Sequence, residues 1–271
     1  MTGEFPGANA SRTDASYVIV GAPLDASTTF QPGTRFGPRR VRQFATAFDD
    51  YDHHTGTQFT SLGVSDHGDV RPRDDVAEYL SYLEGLVGEV RDADRCPLVV
   101  GGEHTVSVAG VRALDPDVFV CCDAHLDLRE SYLGNPLNHA TVTHHALDIA
   151  NEAIVLGARS GSEAEWERAA DDDVTVVGPE DVSDWEPPAS VTSGRVYLSV
   201  DVDAADPAVA PGTGTMEPFG LTSRELRDVV RRVAPHAAGF DVVEVNDRDD
   251  GQSAVLAAKL MRAFVYEHAN G

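Results

Sequence analysis

The chain has 271 residues, 42% of them hydrophobic, which suits one large folded domain with a buried core and excludes a disordered chain. Its 45 acidic residues against 21 basic ones leave a formal net charge of −24, and Lys259 is the only lysine. Such a surface repels nucleic acid and anionic lipid, so neither is expected as a partner. No apolar run approaches the roughly 18 to 20 residues that cross a bilayer, and the first residues lack the basic head and apolar stretch of a secretory signal. The three cysteines do not suggest a disulfide framework, and a reducing cytoplasm is the expected location.

In chain order, residues 1–16 read as a short flexible leader, rich in Gly, Ala and Ser. Apolar runs rich in β-branched residues then predict strands over 17–23, 97–102, 118–124, 153–158, 174–178, 195–203 and 238–246. Amphipathic stretches between and after them predict helices over 76–92, 222–233 and 251–268. Thr222 and Glu225 have the spacing of a capping box at the start of the second. The proline-rich segment 184–194 reads as a surface loop, not a domain boundary. Strands that are almost continuously apolar and alternate with helices indicate a parallel sheet covered on both faces, hence one α/β domain over 17–271.

Ligands of open parallel sheets gather at the carboxyl ends of the strands. At those ends stand Glu103 and His104, then Asp123, His125 and Asp127, then Asp201 and Asp203, and finally Glu244 and Asn246. Residues two apart on a strand face the same side, so each group can point into one site. Aspartates converging without countercharge are costly to desolvate, and divalent cations remove that cost. His104, Asp123, His125, Asp127, Asp201 and Asp203 are too many donors for one open zinc site of three protein ligands, and with bridging carboxylates they suit two metals. Four carboxylates with two imidazoles favour Mn2+, although affinity alone leaves Zn2+, Co2+ and Ni2+ open. Two dications, four aspartates and a hydroxide sum close to zero, and Glu244 adds a negative charge. A small cationic substrate fits that balance and a phosphate does not. Adjacent Cys121 and Cys122 point to opposite faces of a strand, so they read as packing residues and not as a redox pair.

The stretches "GGEHT" (101–105), "DAHLD" (123–127), "SVDVDAADPAVAPGTGTMEPFGL" (199–221) and "DVVEVN" (241–246) resemble the motif blocks of the ureohydrolase family of arginases and agmatinases, in the family's order and spacing. The likeness extends to 21–42 and 256–260, and is greatest to the archaeal agmatinases. The resemblance implies a three-layer α/β/α arginase-like fold, two Mn2+ ions per subunit, and hydrolysis of a guanidino group to urea and an amine by a metal-bridging hydroxide. It implies that His104, Asp123, Asp127 and Asp201 hold one metal, and that His125, Asp123, Asp201 and Asp203 hold the other. Asp127 would also orient the hydroxide, Glu244 would pair with the substrate guanidinium, and His139 would serve in proton transfer. Agmatine, giving putrescine, is the expected substrate. Aminopropylagmatine, guanidinobutyrate, arginine and formiminoglutamate are the alternatives within the family. The resemblance also implies a homo-oligomer, a trimer or hexamer. Ala140, where many members have Gly, and Asp247, where Pro usually follows "EVN", depart from the pattern without touching a metal ligand.

The excess of acid suggests a protein built for a high-salt cytoplasm, because self-repulsion at this charge density is relieved by screening ions. We therefore expect the melting temperature to rise between low salt and molar KCl. A value that stays level or falls would contradict this.

Overall fold

The computed structural model describes residues 4–271. Strand β1 (Tyr17–Ala22) leads through a loop to helix α1 (Gly37–Ala45) and a small hairpin of β2 (Tyr51–Asp52) and β3 (Thr57–Gln58). The chain continues as β4 (Val64–Asp69), α2 (Val76–Asp92), β5 (Cys96–Gly101), α3 (Ser107–Leu114) and β6 (Val118–Cys122). Then come α4 (Val142–Leu147), β7 (Glu152–Leu156), α5 (Glu163–Arg168), β8 (Val174–Val177) and α6 (Ala189–Ser193). The last elements are β9 (Val196–Asp201), α7 (Ser223–Val233), β10 (Ala237–Val243) and α8 (Gln252–His268).

Eight strands form one sheet in the order β4-β1-β5-β10-β9-β6-β7-β8, and every pairing is parallel. The period-two alternation of strands sorts their side chains into two cores. Val118, Val120 and Cys122 of β6 face a core shared with Val41, Leu226, Val230, Leu256 and Phe264, from α1, α7 and α8. Phe119 and Cys121 face the opposite core, with Leu80, Leu83, Val108, Val111 and Val142 from α2, α3 and α4. Burial on both sides explains why these strands are continuously apolar. The result is the three-layer α/β/α arrangement expected. At α7, Thr222 Oγ1 accepts from the Glu225 backbone N–H while the Glu225 carboxylate accepts from the Thr222 N–H, which completes the capping box.

Two expectations need correction. Residues 4–16 are not a loose leader, and residues 1–3 lie outside the described part. Phe5 is buried against the Phe59 ring, 5.8 Å between centroids, and its N–H donates to Asp66. The Ala10 N–H donates to the Val64 carbonyl, so this segment lies along β4, the edge strand of the sheet. Covering an edge removes a row of unpaired backbone groups, and that need outweighs the segment's weak local propensity. The proline-rich 184–194 stretch is also not loop throughout, since it holds α6, which starts directly after Pro188 and buries Val191.

Neighbouring strands β5, β10, β9 and β6 form the middle of the sheet. Their carboxyl ends lead directly into "GGEHT", "EVN", "DVDA" and "DAHLD". Residues far apart in sequence are therefore carried to one edge by four adjacent, fully buried strands.

Candidate metal centre

Each approach to this edge is fixed by local backbone demands. Gly101 and Gly102 close β5 where no larger residue fits: a Cβ on Gly102 would stand 1.9 Å from the Leu24 carbonyl oxygen. That contact turns the chain so that His104 begins a helical turn leading into α3. Asp127 and Glu244 both hold left-handed backbone conformations, with φ of 52° and 61°. A non-glycine residue there costs on the order of 1–2 kcal/mol. At Asp127 the turn is held by its carbonyl, which accepts from the His144 N–H at 3.1 Å. At Glu244 it is held from both sides. The Glu244 N–H donates to the Gly102 carbonyl, and its carboxylate accepts from the His104 N–H, each at 2.8 Å.

The structure brings together all six sequence-predicted metal residues. Asp123 is the hub. Its Oδ2 lies 3.1 Å from His104 Nδ1, and its Oδ1 lies 3.5 Å from His125 Nδ1. Around His104 Nδ1 stand Asp127 Oδ2 at 2.9 Å and Asp201 Oδ2 at 3.7 Å. Around His125 Nδ1 stands Asp203 Oδ2 at 3.1 Å. Three carboxylate oxygens are also set by backbone donors. Asp203 N–H donates to Asp201 Oδ1 at 2.8 Å, Ala124 N–H to Asp203 Oδ1 at 3.1 Å, and His125 N–H to Asp123 Oδ1 at 2.7 Å. The four aspartates and His104 are buried, whereas His125 is partly open to a cavity of about 310 Å³.

The donor set fits divalent cations. Among the described residues no Lys or Arg pairs with any of the four aspartates, so the two imidazoles are their only partners able to carry positive charge. Burial, with repulsion from Asp123, pushes Asp127 up to about 7. Burial, with repulsion from Asp203 and Asp123, drives Asp201 well above the carboxylate range. Burial also pushes Asp123 up, but hydrogen bonds from His104 and His125 outweigh it and the net displacement is downward. The protein alone thus keeps protons on part of the cluster, and dications would replace them. His104, Asp123, Asp127 and Asp201 could hold one ion, and His125, Asp123, Asp203 and Asp201 a second.

Two further expected residues line the same cavity. Glu244 is buried, and burial lifts its carboxyl to about 8. His139 heads the turn before α4; its N–H donates to Ser27 Oγ at 2.9 Å and its Nε2 lies 3.0 Å from Thr29 Oγ1. Burial, reinforced by the nearby His125, lowers His139 to about 4, so its imidazole is neutral near pH 7.

Several contacts went unread in the sequence. His104 Nε2 meets Ser199 Oγ at 3.1 Å, and Ser199 Oγ donates to the buried Asp241 at 2.6 Å. Cys121 Sγ lies 3.7 Å from the same nitrogen, so its thiol adjoins the site as well as packing the core. Cys121 and Ser199 precede Asp123 and Asp201 by two residues, and the strand alternation already puts them on the ligand face. Glu103 accepts from Ser27 N–H and Oγ at 2.7 Å each and from Thr105 Oγ1 at 2.9 Å, which ties the β5 end to the loop that holds His139. No sequence period signals that link.

The family model described as the arginase family matches residues 15–266. The chain belongs to the arginase family. It is 35% identical to the agmatinase of Bacillus cereus, the alignment covering 93% of this chain and 91% of that one. It is 33% identical to the agmatinase of Pyrococcus horikoshii, with 92% and 90% covered. The crystal structure of agmatine ureohydrolase of Thermoplasma volcanium superposes with a TM-score of 0.89 at 34% identity, covering 98% of this chain and 94% of that one. As a member of this family the protein is a hydrolase of C–N bonds in linear amidines. No helix among the described residues is long and apolar enough to cross a membrane.

Removing metal should expose the strain of the cluster. Asp127, Asp201 and Glu244 are raised above their unfolded values, so the stability they confer while protonated is lost as pH rises through their folded values. His104 and His125, also raised, act in the same direction above about 6.5, while His139 acts oppositely only below that value. In EDTA the protein should therefore melt lower at pH 8 than at pH 6.5. Saturating Mn2+ should reverse the order, because protons compete with metal for the same oxygens. A higher melting temperature at pH 8 in EDTA would refute the assignment.

Proposed function

We propose that the protein is an agmatinase, which hydrolyses the guanidino group of agmatine to putrescine and urea with two Mn2+ ions per subunit. The observation that carries this reading is the division of Asp123, whose two oxygens each face one imidazole with further aspartates behind it. That donor set suits a pair of hard dications sharing a carboxylate. Similarity to agmatinases along almost the whole chain supports the same substrate.

His104, Asp123, Asp127 and Asp201 would hold one ion, and His125, Asp123, Asp201 and Asp203 the other. When bound, such ions act as Lewis acids and lower the pKa of water to near neutrality. The remaining work falls to the protein. Glu244 receives the guanidinium in a charge-assisted contact, with its carboxylate already oriented by the His104 N–H. That contact orients the planar substrate against the aspartate cluster. His139, neutral near pH 7 and positioned by Ser27 and Thr29, takes up a proton from the attacking water and passes it to the leaving amine. Asp127 would accept a hydrogen bond from the attacking water and so orient it.

The protein acts in the cytoplasm as a homo-oligomer, a trimer or hexamer, in this reading. Three buried free cysteines are in keeping with a reducing compartment. Exposed Phe30, Leu133 and Phe219 leave apolar surface for contacts between subunits.

Two substitutions separate the roles. Glu244→Gln should keep both metals while urea release from agmatine falls roughly 100-fold or more, the cost of losing a charge-assisted contact in a buried site. Asp201→Asn should lose metal and activity together. Metal analysis beside a urea assay reads both, and loss of metal from Glu244→Gln would overturn the assignment.

A further inference from the structure

The floor of the cavity accounts for the guanidinium end of a substrate, and the sign of charge at its mouth decides what the other end can be. Beyond the cluster, Glu244 and the histidines, the charged side chains lining it are Arg129, Glu165 and Glu217. Arg129 and Glu165 are closed on each other. Arg129 Nη2 lies 3.0 Å from Glu165 Oε2, and its guanidinium stacks on the Tyr132 ring at 4.5 Å. The same Glu165 oxygen accepts from Ser162 N–H at 2.9 Å and Ser162 Oγ at 2.7 Å. The two charges are paired with each other, although the Arg129 side chain keeps about a third of its surface open.

Glu217 is in a different position. Its Oε1 accepts from Ser160 Oγ at 3.1 Å and lies 3.9 Å from His125 Nε2. Among the described residues no Arg or Lys pairs with its carboxylate, and about a third of the side chain (32%) is open. Its backbone is clamped. The Arg159 guanidinium donates to the carbonyls of Glu217 at 2.6 Å, Pro218 at 2.9 Å and Asp203 at 2.9 Å, which locks this loop to the ligand-bearing end of β9. Apart from the closed Arg129–Glu165 pair, the mouth therefore carries one prepositioned carboxylate with no arginine or lysine on it.

Its distance from Glu244 is bounded by the chain. Gly214 stands against Glu244, where a Cβ would lie 3.4 Å from Oε2. Glu217 follows three residues later, so its Cα lies within about 10 Å of Gly214, and its side chain extends that reach. Both carboxylates line the same cavity of about 310 Å³, so a guanidinium and an ammonium joined by a tetramethylene chain can address one each. A guanidino acid would instead set its carboxylate against Glu217, and that repulsion would reject it.

We propose that Glu217 receives the distal ammonium of the substrate and selects guanidino amines over guanidines without a second cation. The inference rests on the reading of the protein as a guanidino hydrolase. It makes Glu217 a specificity residue and Ser160 and Arg159 its positioning residues.

The test compares agmatine with n-butylguanidine, which keeps the guanidine and the chain but lacks the amine, on Mn2+-loaded wild type and Glu217→Gln. The wild type should prefer agmatine in kcat/KM by roughly 10- to 100-fold, the effect of one charge-assisted pair. In Glu217→Gln the preference should collapse towards unity, with unchanged metal content and a kcat on n-butylguanidine within about twofold of wild type. A preference that is absent from the wild type, or that survives in Glu217→Gln, overturns the proposal. So does an equal loss on both compounds with falling metal content, which would make Glu217 a support for His125. If the wild type releases urea from neither compound, the reaction reading fails, and the ratio of their calorimetric Kd values decides the role of Glu217.

Discussion

Buried carboxylates with no lysine or arginine paired to them among the described residues are the constraint on which this structure turns. Asp123, Asp127, Asp201 and Asp203 converge where water is largely excluded, with His104 and His125 as their ionisable partners. Hydrophobic packing cannot relieve that repulsion, and protonation relieves it only by giving up the carboxylates. Divalent cations relieve it while keeping every oxygen ionised. The same deficit of positive charge makes the cavity hospitable to a cation. It links the aspartate cluster, the buried Glu244 and the partly open Glu217 at the mouth.

The sheet is what makes such a gathering affordable. Parallel strands buried on both faces deliver their carboxyl ends to one edge, and β5, β10, β9 and β6 are neighbours at its centre. At the site itself two turns are strained, at Asp127 and Glu244, whose left-handed conformations aim a carboxylate inward. Hydrogen bonds from the Glu244 N–H to Gly102 and from the His104 N–H to Glu244 join the β5 and β10 ends directly. Glu103, Ser27 and Thr29 then extend the rigid floor to His139 through side-chain contacts and the backbone N–H groups of Ser27 and His139.

How legible each part was in the sequence follows from how it is buried. Central strands such as β6 and β9 are apolar on both faces and read plainly, as do α2 and α7, whose faces are distinctly polar and apolar. Strand β4, "VSDHGD", is at the sheet edge and turns Asp66 and Asp69 towards the buried Arg42, so it has no apolar run to betray it. Helix α3, "SVAGVRAL", is buried nearly all round and lacks an amphipathic stripe, while α1 carries three arginines in nine residues. The metal residues were legible because they sit at strand ends with period-two spacing, and the roles of Glu244 and His139 came only from family likeness. Cys121, read as packing alone, touches both the core and His104. The packing of residues 4–16 on β4 depends on a tertiary edge that no local propensity encodes.

The central claim is that Asp123 lies between two metal ions. Anomalous diffraction from crystals grown with Mn2+, collected near the manganese absorption edge, tests it directly. The account predicts two peaks about 3.5–4 Å apart, with the Asp123 carboxylate in contact with both. A single peak, or a second ion with no contact to Asp123, would contradict it.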